Sequence, residues 1–251
     1  MKFRPCIDLH DGKVKQIVGE TLNDAIIENF VSSYDSAYYA ERFRQDELTG
    51  GHVIMLGPGN EEAAVQALKQ YPNGLQIGGG ITADNAASYL EHGATHVIVT
   101  SYIFRDGQLN ENHLNRIVSE TGKNKLVIDL SCKEKDGKWF VVTNQWKLFS
   151  DCEVNETNIR LLEGYCDEFL IHAVDVEGKQ SGIQQKLVRD LAEWVQIPTT
   201  YAGGARSLED MEQFLNISSG KLDLTIGSAL DIFGGKLSYE QVVAYSKSLQ
   251  A

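Results

Sequence analysis

Short apolar, β-branched runs alternate with amphipathic stretches along the whole chain. The first four runs are 3–9 (FRPCIDL), 52–56 (HVIML), 74–78 (GLQIG) and 96–100 (HVIVT). The second four are 125–130 (KLVIDL), 167–173 (DEFLIHA), 198–202 (PTTYA) and 222–227 (LDLTIG). Several lack the polar-apolar alternation of a half-exposed strand, the mark of strands covered on both faces in a parallel sheet. Between them, Ala63, Ala64, Ala67, Leu68 and Tyr71 share one face of a predicted helix. So do Ile183, Leu187, Val188 and Leu191, and so do Leu208, Met211, Phe214 and Leu215. Thr82, Ser207 and Ser238 stand at predicted N-caps. Eight strand-helix units in 251 residues match the count and size of a (β/α)8 barrel, an α/β fold occupying residues 1–251 as one domain. A doubly wound open sheet is the alternative, because periodicity does not give strand order.

Two connections are long, residues 10–36 and 131–152, and each follows the C-terminal end of a strand, where barrel enzymes build their sites. The second contains KDGKWFVVTNQW, in which Asp136-Gly137 predicts a hairpin turn before a strand over Trp139–Val142. Trp139 and Trp146 on that connection suit either a lid that stacks on a heterocycle or ordinary hairpin packing.

The two halves of the chain repeat. IDL ending at residue 9 is answered by IDL ending at 130, Gly79-Gly80 by Gly203-Gly204, and Ser101 by Ser228. The offsets of roughly 120 to 127 residues suggest two half-barrels, about 1–122 and 123–251. Each match falls where a strand hands over to a helix. Glycines there let the backbone approach an anion, and helix N-termini attract phosphate. Two such sites, Gly79, Gly80 and Ser101 in one half and Gly203, Gly204 and Ser228 in the other, predict an elongated ligand with a phosphate at each end. Between them stand Asp8 and Asp129, closing the first and fifth strands. A charge at the end of an apolar strand is costly unless paired or used. Facing one mouth, the two suit a general base and a general acid. His172 ends the sixth strand and is either a hydrogen-bond donor to substrate or a satisfied strand-end histidine. Asp175 and Glu177 form either an anion-binding turn or a solvated one.

Composition narrows the class further. With 23 basic against 35 acidic residues the net charge is −12, and no Lys/Arg run occurs, which argues against nucleic-acid and membrane-surface partners. Cys6, Cys132, Cys152 and Cys166 show neither CxxC pairing nor regular spacing. His10, His52, His92, His96 and His113 suggest no ligand cluster, so no metal is expected. No signal segment or long apolar run is read from the sequence, and the expectation is a cytoplasmic monomer acting on a small molecule.

CIDLHDGKVKQIVG, IGGGIT, LVIDLSCK, LIHAVDVEGKQSGI, YAGGARSLED and GSALDIFGG together resemble the eukaryotic-type histidine-pathway isomerases that act on phosphoribosylformimino-aminoimidazole carboxamide ribotide, over residues 3–235. The resemblance implies a TIM barrel and a cofactor-free Amadori rearrangement of a bisphosphorylated aminoaldose to the aminoketose. It makes Asp8 the base and Asp129 the acid, and assigns the phosphates to Gly79, Gly80 and Ser101 and to Gly203, Gly204, Gly227 and Ser228. His172 and Trp146 join them as candidate substrate contacts. The chain departs from the bacterial pattern after the sixth strand, with His172 for a Thr and Glu177-Gly178-Lys179 for Asp-Gly-Thr, and after the first, with Val14, Lys15 and Gln16 for Val-Arg-Leu. The alternatives are the imidazole-closing cyclase of the same pathway, the analogous tryptophan-pathway isomerase, and a non-catalytic phosphate-binding barrel.

Overall fold

The computed structural model describes residues 1–17, 28–144, 146–176 and 181–250. Its elements in chain order begin with β1 (Cys6–His10), β2 (Lys13–Ile17), β3 (Glu28–Val31), α1 (Ser36–Gln45), β4 (Gly51–Met55), α2 (Glu61–Gln70), β5 (Leu75–Gly78), α3 (Ala86–Glu91) and β6 (Val97–Val99). The short pair β7 (Phe104–Arg105) and β8 (Gln108–Leu109) leads into α4 (Glu111–Thr121) and β9 (Leu126–Asp129). Then come β10 (Cys132–Lys135), β11 (Lys138–Thr143), β12 (Leu148–Glu153) and α5 (Glu156–Leu162). The chain continues with β13 (Glu168–His172), α6 (Gln185–Trp194), β14 (Thr199–Ala202), α7 (Leu208–Ser218), β15 (Asp223–Thr225) and α8 (Tyr239–Ser248).

One mostly parallel sheet carries the molecule, in the order β15-β14-β13-β9-β6-β5-β4-β1-β2-β3. The strands from β15 to β1 are the eight apolar runs of the sequence, each hydrogen-bonded in parallel to the next. Each is followed by one of the eight α-helices found among the described residues. At the far ends of this series, Phe3 pairs in parallel with Leu224, and Arg4 N donates to the Leu224 carbonyl at 2.9 Å.

Strand side chains alternate between the two faces of the sheet. One set, including Ile7, Leu9, Val53, Ile77, Val97, Ile128, Phe169 and Ile171, is fully buried in the layer shared with the helices. The predicted helix stripes fill the other side of that layer, with Ala64, Ala67 and Leu68 of α2, Leu187, Val188 and Leu191 of α6, and Met211 and Phe214 of α7 all buried. Each fully buried Leu, Ile or Phe contributes about 1.5–3 kcal/mol. The opposite face holds a small separate cluster of Ile98, Val127, Leu170 and Ala202, with Ile54 against it. Ser207 and Ser238 cap α7 and α8 through hydroxyls that accept from Asp210 N and Gln241 N. Thr82 differs from its expected role. It opens a turn closed by Asn85 Oδ1 accepting from Thr82 N at 2.8 Å, and the helix starts only at Ala86.

The two long connections contain more strand than the sequence suggested. After β1 the chain doubles back as β2 and β3, both antiparallel. After β9 it forms a three-stranded flap, β10-β11-β12. The Asp136-Gly137 turn is as expected, both residues having positive φ (53° and 76°), and β11 covers the predicted 139–142 segment.

Candidate active site

Asp8 sits in β1 between Ile7 and Leu9, both fully buried toward the helices, so its own side chain points to the other face. The His10-Asp11-Gly12 stretch then reverses the chain. Asp11 and Gly12 have φ of 51° and 71°, the two-residue turn of a tight hairpin. It folds β2 back along β1, with Leu9 opposite Val14. That return brings the buried Gln16 over the carboxylate, and its Nε2 donates to Asp8 Oδ2 at 3.1 Å. Lys15 does not take that role. Its Nζ donates to Asp11 Oδ2 at 3.1 Å and approaches His10 Nδ1 at 3.2 Å. The Lys15 hydrogen bond holds the Asp11 carboxyl below the usual range.

Asp129 ends β9, four strands along the sheet from β1, and is 9% exposed. Its Oδ2 accepts from the Thr100 hydroxyl at 2.8 Å, and the Ser131 hydroxyl lies 3.2 Å from both oxygens. His172, the last residue of the adjacent β13, places Nδ1 3.2 Å from Asp129 Oδ1. The His172 ring meets His52 of β4 edge-on, with centroids 6.1 Å apart. Burial, reinforced by His172 and Arg4, pushes His52 down to about 3, so it is neutral throughout the physiological range.

Four of these groups border a solvent-open cavity, which Asp129 does not line. Asp8, Gln16, His52 and His172 line one part of it, and the turns after β14 and β15, with Gly203, Gly204, Gly227 and Ser228, line another. Gly204 has φ +80°, and a Cβ there would collide with the Gly182 carbonyl, so only glycine fits without displacement. Gly227 is less restricted, for a Cβ there would lie 2.6 Å from Gln16 Oε1, the movable far end of the amide that contacts Asp8. Three expected site residues, Gly79, Gly80 and Ser101, lie after β5 and β6 and outside this cavity's lining. Trp146 occupies the turn between β11 and β12, half-buried at φ 63°, and does not line it either. Trp139 is hairpin packing, 3% exposed within the main core.

Asp175 is half-buried in the turn after β13. Its Oδ2 accepts from the backbone N of Glu134 at 2.9 Å, tying the exit of β13 to the flap. Glu177, with Gly178 and Lys179, lies outside the described residues. The sequence alone did not single out Thr100 and Ser131, which hold Asp129, or Thr225. The Thr225 hydroxyl is buried, has no hydrogen-bond partner, and lines the cavity. Its inward position in β15 was readable from strand alternation.

At the opposite end of the strands Arg4 bridges two carboxylates, donating to Asp223 Oδ2 and Glu168 Oε2, each at 2.8 Å, while Gln76 also donates to Glu168. Among the described residues, the one grouping with spacing for a metal ion is His96, Asp167 and Glu168. Its members are already engaged, His96 with Asp167 and Glu168 with Arg4 and Gln76. All four cysteines are free thiols. Among the described residues no helix is long and apolar enough to cross a membrane.

A family model described as histidine biosynthesis protein matches residues 2–238. A Neurospora crassa protein named 1-(5-phosphoribosyl)-5-((5-phosphoribosylamino)methylideneamino)imidazole-4-carboxamide isomerase is 56% identical over 241 residues, 94% of each chain. A Saccharomyces cerevisiae protein of the same name is 47% identical, again over 94% of each. A Medicago truncatula relative, named as the chloroplastic form, is 50% identical over 98% of this chain and 81% of its own.

Proposed function

The chain belongs to the histidine biosynthesis protein family, and on that premise we propose that it is the isomerase its relatives are named for. It converts a bisphosphorylated N-glycosylamine, the aminoaldose, into the corresponding aminoketose. The observation that carries the reading is the pair of strand-end carboxylates, Asp8 and Asp129, on the first and fifth parallel strands beside a glycine-rimmed cavity.

In this reading Asp8 is the base that removes the C2 proton, and Gln16 orients it. Asp129 is the acid that protonates the ribose ring oxygen. Ring opening gives a Schiff base, proton loss from C2 gives an enolamine, and ketonisation completes the Amadori rearrangement. Gly203, Gly204, Gly227 and Ser228 hold one phosphate, and Gly79, Gly80 and Ser101 the other, with Trp146 on the flap as a further substrate contact. The Thr225 hydroxyl supplies a polar partner between the phosphate turn and Asp8.

The sheet is taken to close into a single (β/α)8 barrel over residues 1–251, built of two duplicated halves. The Phe3–Leu224 bridge and the sequential order of the eight parallel strands support this. The protein is read as a cytoplasmic monomer that needs no cofactor.

Incubation of the purified protein with the aminoaldose, coupled to the cyclase and glutaminase that consume the aminoketose, tests the reading through absorbance. Turnover is expected from the wild type. Its absence, or full turnover by both Asp8→Asn and Asp129→Asn, removes the mechanism.

A further inference from the structure

We propose that Thr100 is the positioning residue of the acid, its hydroxyl fixing the Asp129 carboxyl and tying it to the turn that holds one of the two phosphates. The inference rests on the isomerase reading and keeps Asp129 as the group that protonates the ribose ring oxygen.

Sheet register explains why these two residues meet. In β6, Val97 and Val99 are buried in the layer shared with the helices, and Ile98 belongs to the cluster on the opposite face. Alternation therefore turns Thr100, one residue past the end of β6, to the side of Ile98. In β9, Ile128 lies in the helix layer and Val127 on the opposite face, which Asp129 shares by the same alternation. The strands pair in parallel with Val99 beside Ile128. The next residue on each, Thr100 and Asp129, thus falls beside the other on one face, and the Thr100 hydroxyl donates to Asp129 Oδ2 at 2.8 Å.

Of the two hydroxyls on this carboxyl, Thr100 makes the better-defined bond. Ser131 Oγ lies 3.2 Å from both oxygens, so its one hydrogen is divided between them. Asp129 is 9% exposed, so protein groups rather than solvent set its orientation. As the proton passes from the Asp129 carboxyl to the ribose ring oxygen and the C1–O bond breaks, negative charge develops on the carboxyl. A hydroxyl hydrogen already aimed at Oδ2 meets that charge without reorganisation.

The backbone of Thr100 is fixed from the other side. It immediately precedes the turn Ser101–Ile103, and its carbonyl accepts from Ile103 N at 3.2 Å. Ile103 is fully buried, and its own carbonyl accepts from Asn110 N at 2.8 Å. Asn110 in turn caps α4, its Oδ1 accepting from His113 N at 3.0 Å. Ser101, read as a phosphate contact, is the next residue after Thr100. A phosphate seated on this turn therefore acts on the acid through a single residue, and binding energy from a non-reacting part of the substrate serves to place the reacting group.

Two pairs of side chains that differ by one hydroxyl test the proposal. Thr100→Val keeps the branched shape and removes the hydroxyl. Thr100→Ser and Thr100→Ala both lose the methyl and differ only in the hydroxyl. Steady-state kinetics on the aminoaldose, with urea unfolding of each variant, give the readout. Thr100→Val and Thr100→Ala are expected to lower kcat roughly 10- to 100-fold with KM within about twofold of wild type, while Thr100→Ser stays within about threefold in kcat. Ser101→Ala is expected to lower kcat as well as raise KM in the wild-type background, but only to raise KM in the Thr100→Val background. A folded Thr100→Val with wild-type kcat would overturn the proposal. So would a rise in KM alone, which makes Thr100 a substrate contact, or an effect of Ser101→Ala on kcat that is the same in both backgrounds. Should Thr100→Val fail to fold, equal kcat in the Ser and Ala variants overturns it instead. Inactivity of the wild type on the aminoaldose removes the isomerase reading itself, an outcome distinct from these.

Discussion

The parallel strands carry charged groups at both ends, and the two ends differ in how those charges are matched. At the N-terminal end Arg4 satisfies Glu168 and Asp223 at once, and Gln76 donates to Glu168 as well. At the C-terminal end Asp8 receives a neutral amide and Asp129 a pair of hydroxyls and an imidazole, beside an open cavity. Arg4 and Asp8 lie four residues apart, so one short run of chain supplies a structural cation and the carboxylate proposed as the base. An arginine ties the carboxylates at one end, while amide, hydroxyl and imidazole groups contact those at the other.

The two ends separate most sharply at Asp8. Asp8→Asn keeps the size and the Gln16 contact but cannot take a proton. It should lower kcat by roughly 10³–10⁴-fold, about 4–5.5 kcal/mol of barrier, with little change in thermal midpoint. A variant that melts early while keeping its turnover would assign Asp8 to the structural end. Arg4→Met tests the reverse. Leaving Glu168 and Asp223 without their cation should cost about 3 kcal/mol in urea unfolding, with kcat of the folded protein within about twofold of wild type. Gly204→Ala lies between the two, since the added Cβ meets the Gly182 carbonyl at positive φ. A stability loss of about 1–3 kcal/mol and a raised KM are expected together, with kcat less affected.

A more gradual effect is a pH slope. Burial pushes His52 down to about 3 in the folded state, against about 6.5 in the unfolded chain. Between those values unfolding takes up a proton, so stability falls as pH drops through that window, by at most about 1.4 kcal/mol per unit. Urea unfolding across the window measures the slope, and His52→Asn should flatten it. An unchanged slope would show that His52 is charged beside His172.

Much of the fold was legible because a parallel sheet leaves a local signature. Each of the eight apolar runs became a strand, and the Asp136-Gly137 dipeptide marked its turn because few residues tolerate two successive positive φ values. The antiparallel additions β2, β3 and β12 were not legible. Their partners lie beside them in space, and their mixed composition carries no clean period. Thr82 was read as a cap from its residue type, while the turn that Asn85 closes delays the helix.

At the site, the strand-end positions of Asp8, Asp129 and His172 could be read from the sequence, but their partners could not. Alternation tells which face a side chain takes. It does not tell that His172 lies against Asp129 across 43 residues of chain, or that Arg4 reaches Glu168 across 164. Gln16 illustrates the limit. It occupies the place of an apolar residue in the bacterial pattern, and only the tight Asp11-Gly12 turn brings its amide to Asp8.

Cofactor-free conversion of aminoaldose to aminoketose by this chain alone is open to direct observation. The measurement is ¹³C NMR of substrate labelled at C1 and C2 of the glycosylamine ribose, incubated with the purified, metal-chelated protein. The anomeric C1 signal should be replaced by a methylene carbon and C2 by a ketone carbon, at a rate abolished in Asp8→Asn. An anomeric signal that persists in the presence of folded wild-type protein would contradict the mechanism.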